Sequence, residues 1–128
     1  VLGLGGVGSW AAEMLVRSGV GKLTIVDFAE VCITNFNRQS HALQGNVGRQ
    51  KAEVLAERLS KINPACEIIP VLRFFNAESS DELFKGGVDS DPFNYGVDYV
   101  IDAIDSVTSK CLLLAFCSMN GIPVVSCT

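Results

Sequence analysis

The most restrictive feature of the chain lies at its start. Val1-Leu2-Gly3-Leu4-Gly5-Gly6-Val7-Gly8 is an apolar stump followed at once by four glycines within six residues. The stump reads as the end of a buried strand. Residues 7–18 read as a helix, with Trp10, Met14 and Leu15 on one face and Gly19 beyond its end. A strand that must turn within a few residues into a helix needs tight backbone bends and close approaches, and glycine permits both. The free N–H groups and partial positive charge at the helix start then favour an anion. Gly3, Gly5, Gly6 and Gly8 are therefore candidate nucleotide contacts. The pattern alone does not separate a dinucleotide from other nucleotides, and a tight turn with no ligand is its plainer reading.

Downstream of the glycines the chain alternates strand and helix. Strands are expected at 22–27, 66–72, 97–103 and 122–127, and helices at 46–62, 78–85 and 106–120. In the first of these helices Val47, Leu55, Leu59 and Ile62 fall near one stripe, and Asn63-Pro64 stops it. With the opening stump this makes an α/β chain: a Rossmann-like, doubly wound, mostly parallel sheet with helices on both faces. The 128 residues, 48% hydrophobic and 19% charged, suit one globular domain spanning 1–128. The sequence opens inside one apolar strand and stops just after another, so it reads as a fragment whose N- and C-terminal parts lie elsewhere. Two connections, 28–45 and 86–96, are too long for plain turns. The second, rich in Gly, Asp, Ser and Pro, reads as a surface insertion.

Several function classes are disfavoured. The net charge is −4 with no block of like charge, so these residues carry no basic footprint for nucleic acid. The longest apolar run, 111–119, is well short of the roughly 18–20 residues that span a bilayer, and no membrane contact is expected in this segment. Five cysteines, an odd number with no CxxC pair, argue against a disulfide framework and against zinc. They read as buried thiols in a reducing compartment, with the cytoplasm as the default location.

Asp27 ends the strand after the glycines, where a carboxylate accepts hydrogen bonds from ribose hydroxyls. A capping or turn aspartate is the alternative. Next come Asn35, Arg38 and Gln39, then Lys51. A dinucleotide has little use for such a cluster, whereas a triphosphate undergoing attack at the α-phosphorus gathers charge that an arginine fork and a lysine stabilise. Arg38 and Lys51 are accordingly candidate catalytic groups, with solvated surface charge as the alternative; Arg49 reads as a surface residue. Asp102-Ala-Ile-Asp105 closes a later strand at its carboxyl end, where ligands of open α/β sheets bind. Asp105 is the candidate metal or phosphate-site residue, with an N-cap as its alternative, while Asp102 orients its neighbours. His41, the only histidine, reads as a packing or partner-contacting residue, with a general base as the lesser alternative.

Taken together, Gly3-x-Gly5-Gly6-x-Gly8, Asp27, Asn35-x-x-Arg38-Gln39, Lys51 and Asp105 resemble the E1-like activating-enzyme superfamily, over nearly the whole chain. The wording Val31-Cys-Ile-Thr-Asn35-x-Asn37-Arg38-Gln39, His41-Ala-Leu, Asn46-Val-Gly, Lys51-Ala-Glu-Val and Tyr99-Val-Ile-Asp-Ala-Ile-Asp-Ser is similar to one branch, the tRNA threonylcarbamoyladenosine dehydratases. That resemblance implies an enzyme that uses ATP to adenylate the threonylcarbamoyl carboxylate at adenosine 37 of tRNA and then closes the ring with loss of water. The alternative is an adenylyltransferase for the C-terminus of a sulfur-carrier or ubiquitin-like protein. The resemblance implies ATP and Mg²⁺, with a monovalent cation as a further candidate. It also implies a homodimer, with a sulfur-transfer or carrier protein as another candidate partner. A targeting segment outside these residues would move the location to a mitochondrial membrane. By the resemblance, the glycine loop, Asp27, Asn35, Arg38 and Lys51 hold the nucleotide and Asp105 serves Mg²⁺. Members commonly carry a second acid two residues after the ribose aspartate; here Ala29 stands there, with Glu30 as the expected substitute. None of the five cysteines inherits a thioester role.

Overall fold

The computed structural model describes residues 1–79 and 97–127. Its strands are β1 (Lys22–Val26), β2 (Glu67–Val71), β3 (Val100–Asp102) and β4 (Val124–Ser126), and its α-helices are α1 (Gly8–Arg17), α2 (Lys51–Ile62) and α3 (Val107–Met119). β1 pairs in parallel with β2, and β3 in parallel with β4. The opening residues join the two ladders. Leu2 bridges Val26 on one side and Asp102 on the other, both in parallel. Gly3 N–H donates to Val26 C=O and Leu2 N–H to Ile101 C=O, each at 2.9 Å. The sheet order is thus β2–β1–N-terminal segment–β3–β4. The chain winds outward one way through β1 and β2, then returns to the centre and winds the other way. The point of reversal, beyond the carboxyl ends of the central strands, is where open α/β sheets bind ligands.

Period-2 alternation sends neighbouring strand residues to opposite faces. Leu4, Leu23 and Ile25 pack with Ala12 and Val16 of α1 and Leu55 and Leu59 of α2. Leu2, Val26 and Val100 pack with Leu113 and Cys117 of α3. The doubly wound, parallel α/β architecture expected from the sequence is therefore the one observed. Of the expected 78–85 helix all but the first two residues, and the whole 86–96 insertion, lie outside the described residues.

Three details differ from the sequence reading: the strands expected at 97–103 and 122–127 shorten to Val100–Asp102 and Val124–Ser126, and two helices differ. The buried stripe of α1 is Gly8, Ser9, Ala12, Glu13 and Val16, while Trp10 and Met14 are exposed. Small residues let α1 sit close to the sheet, so the bulky ones are left outside. The helix expected from residue 46 begins at Lys51. Gly48 has φ +85° and Glu30 pairs antiparallel with Gln50, which keeps 46–50 out of helical geometry.

Candidate functional site

The glycine loop is a knot of close contacts. Gly3 has φ +84°, and a Cβ there would meet the Ala103 carbonyl oxygen at 2.6 Å; a Cβ on Gly8 would lie 1.7 Å from the Gly3 carbonyl oxygen. These two positions are closed to side chains by the fold itself. Gly5 and Gly6 are different, since the atoms nearest an added Cβ are side-chain atoms, Gln39 Nε2 at 3.8 Å and Arg38 Cγ at 3.1 Å. Among the described residues no backbone carbonyl accepts the N–H of Gly5, Gly6 or Val7. The start of α1 thus offers uncommitted donors beside open space.

The loop is braced from both sides at Leu4. Its N–H donates to Asp27 Oδ2 at 2.7 Å, and the other oxygen of that carboxylate accepts Ala29 N–H at 2.8 Å. The Leu4 carbonyl accepts a 2.7 Å hydrogen bond from His41 Nε2. His41 is fully buried, its Nδ1 has no partner, and burial pushes its pKa below the ordinary 6.5. It props the loop and has no route to act as a general base. Asp27 holds the turn and still lines the cleft.

That cleft, of about 930 Å³, runs over the sheet's point of reversal. Its walls include Gly3, Gly5, Gly6, Asp27, Asn35, Arg38, Gln39, Lys51 and Asp105. The structure therefore brings together nearly every residue singled out in the sequence; Gly8 lies behind the wall. Asn35, on a short 3₁₀ turn (Ile33–Asn35), accepts Cys32 N–H on its side-chain Oδ1 at 2.8 Å, which leaves its Nδ2 donors for a ligand. Arg38 is exposed and its guanidinium is held by the Thr34 carbonyl and Asn37 Oδ1 at 3.1 and 2.9 Å, while the Arg38 backbone carbonyl accepts Trp10 Nε1–H. Gln39 is buried with an unpartnered Oε1.

Lys51 is the cleft lysine at the start of α2. It is only 9% exposed, yet it takes part in none of the ion pairs among the described residues. The side chain lines the cleft, where an anion would give its ammonium a counter-charge. Across the cleft, the N-cap of α3 is Ser106, so the N-cap alternative for Asp105 is not realised, and its carboxylate has no partner among the described residues. No group of three or more potential metal ligands occurs among the described residues. Mg²⁺ needs none, since it is held by one or two carboxylates plus substrate phosphates; Asp105 fits that part.

Some wall residues gave no sequence signal. Phe28 and Phe74 meet edge to face at 4.9 Å between ring centres, and Arg73, Lys110 and Cys127 also line the cleft. Glu30, the expected substitute for the acid missing at Ala29, is exposed and not in the wall; its backbone is engaged with Gln50 instead. Arg49 pairs with Glu57 on the surface, as its surface reading anticipates.

A model of the ThiF family matches residues 1–128. The chain belongs to the ThiF family. It is 48% identical over 98% of its length to the tRNA threonylcarbamoyladenosine dehydratase of Escherichia coli, covering 44% of that protein. It is 45% identical, over 98% of its length and 45% of the relative's, to the dehydratase of Haemophilus influenzae. The molybdopterin-synthase adenylyltransferase of Salmonella typhimurium is more distant, at 34% identity with 98% of this chain and 47% of that protein covered. Among solved structures, the E. coli dehydratase in complex with ATP superposes with a TM-score of 0.87 at 48% identity, over 98% of this chain and 48% of that one. The chain thus spans a little under half the length of these relatives.

Proposed function

We propose that this chain is the ATP-binding domain of a longer tRNA threonylcarbamoyladenosine dehydratase. The observation that carries the reading is Lys51, a lysine in no ion pair among the described residues, in a cleft that also holds the uncommitted N–H groups of the glycine loop. The family membership and the dehydratase relatives support it. ATP lies with its ribose at Asp27 and its phosphates between the loop, Asn35, Arg38 and Lys51. The substrate carboxylate attacks the α-phosphorus and pyrophosphate leaves. The resulting acyl-adenylate then yields AMP as a nucleophile within the modified nucleoside closes the ring. Arg38 and Lys51 stabilise the charge on the departing pyrophosphate, and the site's remaining work is positioning. Asp105 would hold Mg²⁺, which neutralises phosphate charge when bound.

The net charge of −4 assigns most tRNA phosphate contacts to residues beyond this chain or to a second subunit. Among the described residues no helix is long and apolar enough to cross a membrane. The test uses the full-length protein, Mg·ATP and tRNA carrying threonylcarbamoyladenosine. An ATP-dependent loss of one water from the nucleoside, read by mass spectrometry, supports the proposal. No loss, with ATP–pyrophosphate exchange only on adding a small carrier protein, replaces it with the adenylyltransferase alternative.

A further inference from the structure

Asp105 is placed by its backbone alone, because its carboxylate has no partner among the described residues. What fixes that backbone is a network centred on Asp102, whose side chain is fully buried. Asp102 Oδ1 accepts Ile104 N–H at 3.0 Å. Its Oδ2 accepts Lys110 Nζ at 2.6 Å and Ser126 Oγ at 2.7 Å. Lys110 also donates to the Cys127 carbonyl at 2.8 Å, and its own N–H donates to the Ser106 carbonyl at 2.9 Å. Asp105 therefore sits between two anchored neighbours: Ser106, held by the backbone of α3, and Ile104, held by the Asp102 carboxylate that the Lys110 ammonium in turn fixes.

We propose that Lys110 is a positioning residue: through the buried Asp102 carboxylate it sets the 103–106 turn and so aims Asp105 at the metal-bearing phosphates of the nucleotide. This role rests on the ATP-site reading of the cleft. The lysine is not itself a phosphate ligand, because its charge is already matched by Asp102 and its other short contacts are neutral oxygens. A carboxylate that reaches a metal only through an anchored turn depends on the anchor, and loss of such outer partners typically costs metal affinity by about 10–100-fold.

The test is calorimetry on the full-length protein with an ATP analogue carrying a methylene between its α- and β-phosphorus, with and without Mg²⁺. Binding without metal reports the glycine loop and Lys51; the gain on adding Mg²⁺ reports Asp105. In Lys110→Met the gain falls about tenfold while metal-free affinity holds. Lys110→Arg keeps most of the gain. Asp105→Asn loses it, and the double variant Lys110→Met/Asp105→Asn is no worse than Asp105→Asn alone, because one residue acts through the other. Should Lys110→Met not fold, Asp102→Asn/Lys110→Met removes both charges together and is expected to lose the gain as well. Equal weakening with and without Mg²⁺, additive losses in the double variant, or an undiminished gain overturns the proposal. A wild-type protein that binds no analogue under either condition overturns the ATP-site reading, and this inference with it.

Discussion

Lys51 and Lys110 line the same cleft from opposite sides, one from the first residue of α2 and the other from the start of α3. Lys110 is matched: a carboxylate, a hydroxyl and a carbonyl oxygen all lie within 3.1 Å of its Nζ. Lys51 is mostly covered and has no matching carboxylate among the described residues. The contrast separates a charge used to build the wall from one left for something that enters. It also separates the two lysines by consequence, since removing Lys110 should disturb the 103–106 turn and removing Lys51 should weaken what the cleft holds.

The sharpest way to break that contrast is Lys51→Met. On the proposed reading, loss of one stabilising donor lowers turnover on modified tRNA by about 10²–10³-fold, while the thermal midpoint stays level because no ion pair among the described residues is broken; an activity assay and a melting curve measure both. A midpoint that collapses would place Lys51 with Lys110 among the structural groups. Within the glycine loop the same division holds between Gly8 and Gly5. Gly8→Ala must push a Cβ into a backbone oxygen at 1.7 Å, and about 3 kcal/mol of stability should disappear in denaturant unfolding. Gly5→Ala has room, so its midpoint should hold while nucleotide binding weakens.

A smaller effect tests the supports rather than the ligand groups. The Glu13 carboxylate, taken by Arg58 and Arg17 at 2.8 and 2.9 Å, is held below its ordinary 4.5 by those partners. The unfolded chain therefore takes up a proton first, and this contribution, complete above pH 4.5, is lost as pH falls through the lower folded value. Burial of His41 acts in the same direction from 6.5 downward. Unfolding midpoints measured across pH 7 to 3 should decline in two stages, and Glu13→Gln should remove the acidic one. The smallest effect belongs to Arg49→Ala, whose exposed pairing with Glu57 should leave no measurable change in the midpoint.

Much of this was legible in the sequence because it rests on local chemistry. The order of strands and helices follows from periodicity, and Gly3, Asp27, Lys51 and Asp105 sit at strand ends or helix starts, where an α/β sheet gathers its ligand groups. The rest depends on pairings between distant residues. Nothing local distinguishes Lys110 from an ordinary helix lysine until Asp102 and Ser126 arrive beside it. Trp10 and Met14 mark a helix face by spacing but not whether that face is the buried one. Nor does spacing reveal that His41 lies under Leu4, or that Phe28 meets Phe74.

The central position of the Leu2 segment also sets a timetable. As the chain leaves the ribosome, that segment emerges ahead of both strands it will pair with, and β1 is available to it soon after. Its other neighbour, Ile101, is made some hundred residues later, a delay of roughly 5–20 s at common synthesis rates of about 5–20 residues per second. Through that interval one flank of the innermost strand is an open edge, able to pair with any passing strand. The nascent half-sheet therefore keeps an open pairing edge until β3 has been made.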